Sequence, residues 1–169
     1  VRKFSDKNII HASSKIDPED DIAIINLELI LADLATINNR LKKTARDLKA
    51  STDKKTASCH DLLAKIKTHF EQGKLASQMA LSQDEEKEIK DLNLLTIKPI
   101  LYILNVDEQE AEKTSADDKT IFISAKIESE IAEFSQEEAT NYLKELGLSQ
   151  SGLDRLITAS YKLLNLITF

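Results

Sequence analysis

The spacing of hydrophobic residues predicts two long helices in the first part of the chain. Over residues 23–48 the apolar positions alternate between spacings of four and three, which places them in one row, or seam, along a helix face. The same spacing forms a second seam over residues 56–70. Asp17 and Pro18 suit the N-cap and the first helical position. Because a short polar stretch, residues 50–53, separates the seams, we predict an antiparallel helical hairpin. The first half of the first helix is apolar nearly all round, so we expect it to be buried.

The rest of the chain combines capped helices with two short apolar runs. The capping box Ser82-Gln83-Asp84-Glu85 predicts a third helix that ends near Leu95. Apolar runs at residues 100–104 and 120–124 predict two strands buried on both faces of a sheet. Three more helices are expected, over residues 128–133, 136–146 and 153–166. Two strands cannot satisfy their own edges, so partner strands, domain swapping or a dimer through open edges are expected.

Composition narrows the class of protein mainly by exclusion. The 169 residues include 3 Gly and 2 Pro and are 31% charged, which favours long helices over an all-β fold. The net charge of −6 argues against electrostatic nucleic-acid binding by the whole chain. The single cysteine, Cys59, excludes an internal disulfide. With no membrane-length apolar stretch and no secretory signal in residues 1–15, we expect a cytoplasmic protein. Because Val1 stands where an initiator Met is expected, the chain is expected to begin within a longer protein.

Polar residues end both predicted strands, where ligands bind in open α/β sheets. Asn105-Val106-Asp107-Glu108 follows the first strand and Ser124-Ala125-Lys126 follows the second. An Asn side chain offers a donor and an acceptor, so it can read a purine edge while it braces a neighbouring loop. A carboxylate three residues later can accept from ring N–H and amino groups. The pattern indicates a base-reading loop, and the alternative is a strand that ends in an Asx turn.

Taken together, these motifs resemble the fourth and fifth nucleotide-binding motifs of the Obg-like ATPase family. The resemblance covers nearly the whole chain, and it extends to Asn8-Ile9-Ile10-His11, Pro18-x-Asp20-Asp21-Ile22, Ile25-Asn26-x-Glu28-Leu29, Leu31-Ala32-Asp33-Leu34, Leu95-Thr96-x-Lys98-Pro99, Glu130-Ile131-Ala132-Glu133 and Tyr161-Lys162-Leu163-Leu164-Asn165-Leu166. It implies an α/β fold, mostly helical here: part of a Rossmann-like P-loop NTPase sheet with an inserted coiled-coil hairpin.

The resemblance also implies a division of the chain. Residues 1–21 and 94–134 would belong to the nucleotide-binding domain, residues 22–93 to the coiled-coil insertion, and residues 135–169 to helices leading towards a TGS domain. The intact protein would bind and hydrolyse ATP with Mg²⁺, use GTP less well, and associate with ribosomes. The sequence contains no G-x-x-x-x-G-K-[ST] motif. We therefore expect the middle part of such a protein, with no catalytic or metal-binding residue of its own and no ATP hydrolysis in isolation.

Site residues follow from the same resemblance. Asn105 and the backbone of Val106 would meet the adenine. Glu108 would occupy the position at which related GTPases carry the aspartate that binds guanine. Ser124 and Ala125 would close the base pocket, with Lys126 beside them.

Positive charge gathers where the predicted hairpin turns, in a stretch that we call the basic segment (residues 40–55). The segment contains two acidic residues, Asp47 and Asp53, and seven basic residues, which are Arg40, Lys42, Lys43, Arg46, Lys49, Lys54 and Lys55. On charge alone a solvated helix end is the favoured interpretation. The functional alternative is contact with RNA phosphates, whose binding weakens steeply with salt. It leads to the rival function, a non-enzymatic helical module that binds RNA or a protein partner. Cys59, His60 and His69 are expected to be ordinary helix residues and not metal ligands.

Overall fold

The computed structural model describes residues 1–5, 16–50, 53–112 and 119–167. The chain divides into two compact units. One unit combines Val1–Ile22 with Ile100–Phe169, and we call it the sheet unit. The other, Ala23–Pro99, is the helical unit. The assignment of residues 1–21, 22–93, 94–134 and 135–169 to named domains stays a prediction.

Among its described residues, the helical unit contains three α-helices and two short 3₁₀ turns. Helix α1 spans Pro18–Ala50 and helix α2 spans Lys54–Glu71, close to the predicted bounds. The Asp53 side chain caps α2 by accepting a hydrogen bond from the Thr56 backbone nitrogen at 3.1 Å. Gly73, at φ +72°, follows the end of α2, as expected for a C-terminal glycine. A 3₁₀ turn at Ala76–Gln78 was not predicted.

The third helix is shorter than the sequence indicates. Helix α3 spans Gln83–Ile89 and continues as a 3₁₀ turn, Lys90–Leu92. The predicted capping box is confirmed, because Ser82 and Glu85 bond each other's backbone nitrogens at 2.7 and 3.3 Å. Asn93 then takes a left-handed conformation, φ 47°, which ends the helical path before Leu95.

The seam residues of α1 and α2 share one hydrophobic core. Ile37, Leu63 and Ile66 are fully buried, and Leu34 and Leu41 pack against the same cluster. The predicted burial of the first half of α1 is wrong for the described residues. Ile24, Leu27 and Leu31 are 48%, 50% and 54% exposed. The core covers one stripe of α1, and these three side chains are largely outside it.

The described residues of the sheet unit form two parallel strands, β1 (Tyr102–Asn105) and β2 (Thr120–Ile123). The segment Val1–Lys3 runs along the other edge of β1, also parallel. Its backbone exchanges hydrogen bonds with Ile103 and Asn105: Val1 N to Ile103 O and Asn105 N to Val1 O, both at 2.8 Å, and Lys3 N to Asn105 O at 2.7 Å. One edge that the sequence left open is therefore paired from within the chain.

Both strands are less buried than predicted. Leu104 is buried, whereas the other residues of β1 and all of β2 are partly exposed. A small core lies beside them, formed by Leu104, Val106, Ala111, Ile127 and Leu148. Burial on both faces needs a layer on each side of the sheet, and the described residues supply only part of that cover.

Three α-helices follow β2 in the part of the chain that the structure describes: α4 (Ala125–Ile131), α5 (Gln136–Glu145) and α6 (Gly152–Leu163). Ser135 caps α5 as predicted. Helix α4 begins three residues earlier than the predicted residue 128, directly after Ser124. The Glu128 carboxylate of α4 accepts hydrogen bonds from the Gly152 and Leu153 nitrogens, at 2.7 and 3.3 Å, and so caps α6. No described helix is long and apolar enough to cross a membrane.

Candidate functional site: a cleft at the strand ends

A cleft of about 740 Å³ lies where the parallel segments of the sheet unit end. Because Val1–Lys3, β1 and β2 run in one direction, the residues that follow each of them meet at the same edge. The cleft is lined by Phe4, Ser5, Asn105, Val106, Asp107, Glu108, Gln109, Ser124, Ala125, Lys126 and Ser129. It therefore brings together all six residues predicted for the base pocket.

Asn105 is the last residue of β1 and is held from several sides. Its backbone oxygen accepts from the Lys3 and Phe4 nitrogens, at 2.7 and 3.1 Å. Its side-chain Oδ1 accepts from the Ala125 nitrogen at 3.0 Å, which ties the end of β1 to the start of α4. Among the described residues Nδ2 donates to nothing, so one amide group is fixed at the cleft with its donor available to a ligand.

Val106 presents less of its backbone than the sequence suggests. Its nitrogen donates to the Ile123 carbonyl at 2.9 Å, which continues the ladder between the strands. Its side chain is buried at 2% exposure. The N–H group is therefore not offered to a base, and a backbone contact from Val106 would have to come from its carbonyl oxygen.

Glu108 and Lys126 form an ion pair on the rim of the cleft. The Lys126 Nζ atom donates to Glu108 Oε1 at 2.6 Å. That hydrogen bond, together with the attraction between the charges, raises the pKa of Lys126. The Glu108 carboxylate thus lies where the sequence placed it, but it already has a cationic partner.

Ser124 and Ala125 begin a helix and do not form an open loop. Ser124 is buried at 3% exposure and occupies the N-cap position of α4. Its carbonyl accepts from the Glu128 nitrogen at 3.1 Å. Since the Ala125 N–H group is bonded to Asn105, that group braces the cleft wall and is not available to a ribose.

Sequence reasoning missed the contribution of the first residues. Phe4 and Ser5 line the cleft, and the Ser5 nitrogen donates to Asp107 Oδ2 at 3.3 Å. Parallel pairing of Val1–Lys3 with β1 puts them there, and three residues are too few to show a strand pattern. Gln109 and Ser129 also went unassigned. His11, part of the Asn8-Ile9-Ile10-His11 segment named in the family resemblance, lies outside the described residues.

The charges that line the cleft suit a neutral ligand group. Two carboxylates, on Asp107 and Glu108, face one ammonium group, on Lys126. A purine base is neutral and offers donors and acceptors that match an amide and carbonyls, whereas a polyphosphate would meet net negative charge. Within the described chain no group of three His, Cys, Asp or Glu side chains is arranged to hold a metal ion.

Six of the seven cations of the basic segment are exposed; these are Lys42, Lys43, Arg46, Lys49, Lys54 and Lys55. Arg40 differs, because its guanidinium bonds Asp91 Oδ2 at 2.5 Å. A second, smaller cleft of about 270 Å³ borders Arg40, Lys43 and Lys55, but Asp47 and Glu88 line it too. His60 has a hydrogen-bond partner within the protein, since its Nδ1 lies 2.9 Å from Thr44 Oγ1.

Comparison with known proteins gives the fold class first. A solved chain, described as the structure of the Schizosaccharomyces pombe YchF GTPase, superposes with a TM-score of 0.83 at 25% identity. The match covers 98% of this chain and 49% of that one. The chain thus has part of a P-loop GTPase-type fold, mostly helical, with a small parallel sheet.

Sequence relatives then narrow the class to a family. The chain is 44% identical over 183 aligned residues to the ribosome-binding ATPase YchF of Bacillus subtilis, and the match covers all of this chain and 50% of the relative. It is 38% identical to the Escherichia coli O157:H7 protein of the same name, again over the whole chain and 49% of the relative. No family model matches the chain. The chain therefore resembles YchF, of the Obg-like ATPase family, over its full length, and it spans about half the length of the curated relatives it matches.

Proposed function

We propose that this chain supplies the base-recognition part of a purine nucleotide site. One observation carries the proposal: the parallel strand ends gather Asn105, Glu108 and Lys126 around one cleft. The Asn105 amide is braced by Ala125 and keeps a donor for the base, and the Val106 carbonyl would lie beside it. The position at the carboxyl ends of parallel strands agrees with the general rule for ligands of α/β sheets.

At its native length the protein would bind and hydrolyse ATP with Mg²⁺, with GTP as a weaker substrate, in the cytoplasm and in association with ribosomes. The relatives are named ribosome-binding ATPases, and the solved fold neighbour is named a GTPase. The phosphate and Mg²⁺ contacts would come from segments outside this chain, since its described residues suit a base better than a polyphosphate. A dimer through the outer edge of β2 remains part of the proposal.

The double variant Asn105→Ala with Glu108→Ala tests the base assignment. In the intact protein, displacement of a fluorescent ATP analogue by ATP and by GTP gives both dissociation constants. Loss of the Asn105 hydrogen bonds should weaken ATP by about tenfold or more. The double variant Glu86→Ala with Glu133→Ala, at exposed positions outside the cleft, is the matched control. An unchanged preference and affinity in the cleft variant would show that the base binds elsewhere.

The helical unit provides a second candidate function. We propose that α1 and α2 form an antiparallel coiled-coil hairpin whose basic segment contacts RNA phosphates. Support comes from the core that the two helices share and from the six exposed cations of the basic segment. The name of the relatives makes ribosomes the first partner to test.

Salt dependence separates phosphate contact from a merely solvated helix end. Replacing Lys42 and Arg46 by Glu should weaken binding to ribosomes and lower the slope of log K against log salt by about 1.4–1.8, because each phosphate contact contributes about 0.7–0.9. The charge-matched control replaces Lys87 and Lys90, outside the basic segment. Equal effects of both pairs would leave the basic segment without a specific role.

A further inference from the structure

Lys126 projects from the first turn of α4 towards the rim of the cleft. Its Nζ atom lies 2.6 Å from Glu108 Oε1, and both residues line the cleft. Glu130, another carboxylate near Lys126, accepts a hydrogen bond from the Tyr142 hydroxyl. Glu108 is therefore the carboxylate that Lys126 bonds directly.

A free carboxylate and a paired carboxylate read purines differently. Guanine offers two adjacent donors, the ring N1–H and the 2-amino group, which a carboxylate can accept together. Adenine has an acceptor at N1, so a carboxylate facing that atom meets a lone pair. An ammonium group that holds one carboxylate oxygen offsets its charge and occupies part of its acceptor capacity.

We propose that Lys126 is a positioning residue that sets the purine preference by holding Glu108 away from guanine. The inference rests on the proposed function, because it concerns the same cleft. The pair is open to solvent, with side-chain exposures of 68% for Lys126 and 40% for Glu108. Pairs this exposed contribute little to stability, so their removal should leave the fold intact.

The test is a double-mutant cycle on the intact protein, made from Lys126→Met, Glu108→Gln and their combination. Displacement of a fluorescent ATP analogue measures the dissociation constants for ATP and GTP. Lys126→Met should tighten GTP about tenfold relative to ATP, the scale of one hydrogen bond to a charged group. The same change in the Glu108→Gln background should leave the ratio unaltered. Lys144→Met, at an exposed position of α5, is the matched control.

Different failures have different meanings in this cycle. An unchanged GTP-to-ATP ratio in Lys126→Met would overturn the inference while leaving the base site in place. An equal loss for both nucleotides would also overturn it, since Lys126 would then contact a part that ATP and GTP share. If the parent protein binds no purine nucleotide, or binds it independently of Asn105, the proposed function itself fails and the inference falls with it.

Discussion

Asp33 is a buried carboxylate on which the closure of the helical unit depends. It is 3% exposed and lies on α1, 62 and 63 residues from its partners. Its oxygens accept from the Leu95 and Thr96 nitrogens, both at 2.8 Å, and from the Thr96 hydroxyl at 2.6 Å. The Thr96 hydroxyl oxygen in turn accepts from the Ala76 nitrogen at 3.2 Å. One side chain therefore joins the start of the unit to its last turn.

Removing this carboxylate should destabilise the helical unit strongly. Asp33→Ala leaves two backbone N–H groups and one hydroxyl without their acceptor, and each unsatisfied buried group costs about 1–3 kcal/mol. Partial relaxation and water entry reduce the sum, so we expect a loss of about 3–5 kcal/mol in the free energy of unfolding. Asp33→Asn keeps one acceptor but turns an NH₂ group towards donors, so it should lose about 2–3 kcal/mol.

Urea unfolding followed by circular dichroism measures the loss in the free energy of unfolding. Hydrogen exchange at the Leu95 and Thr96 amides measures the loss of protection at the site itself. Asp84→Asn is the control, because Asp84 is 95% exposed and its ion pair with Lys87 is worth about 0–1 kcal/mol. If Asp33→Ala unfolds at the same urea concentration as this control, with the two amides still protected, the reasoning about the buried acceptor is refuted.

Two further predictions concern helix ends. Gly152→Ala places a Cβ atom 2.9 Å from Glu128 Oε1 at the start of α6, so it should lose about 1–3 kcal/mol by thermal unfolding; an unchanged melting temperature would show that the site can relax. The pKa values of Glu85 and Glu138 are lowered from 4.5 by their hydrogen bonds to Ser82 and Ser135. The two carboxylates therefore contribute to folding stability above pH 4.5, and this contribution is lost as the pH falls through their lowered pKa values. As the pH falls over that range, the double variant Glu85→Gln with Glu138→Gln should lose less stability than the parent. An equal loss of stability in the variant and the parent on acidification would contradict the prediction.

The sequence identifies the helices well because their ends carry local chemistry. Asp53, Ser82 and Ser135 each cap a helix by bonding a backbone nitrogen three residues ahead, a signal contained in four residues. The seam on α1 is likewise readable from the sequence between Ile30 and Thr44. Ile30, Ile37 and Thr44 are buried there, and Leu34 and Leu41 are partly buried against the same core.

Other features depend on partners that are distant in the chain. The ion pair between Arg40 and Asp91 joins residues 51 positions apart, so no local pattern indicates that one of the seven cations of the basic segment has an acidic partner. The Asn105 amide bonds the Ala125 nitrogen only because β1 and β2 are parallel and in a particular register, which no local pattern specifies. For the same reason, the sequence identified the residues that line the cleft, but it did not show which of their donors and acceptors remain available to a ligand.

Photolabelling of the intact protein with 8-azido-ATP tests the central claim most directly. A base bound between the strand ends should react with the cleft walls, so trypsin digestion should give labelled peptides covering residues 91–113 and 120–126. Excess unlabelled ATP should abolish both signals. Label that ATP displaces but that lies in neither peptide, nor in the peptides that carry the other cleft residues Phe4, Ser5 and Ser129, would contradict the assignment of this cleft to the base.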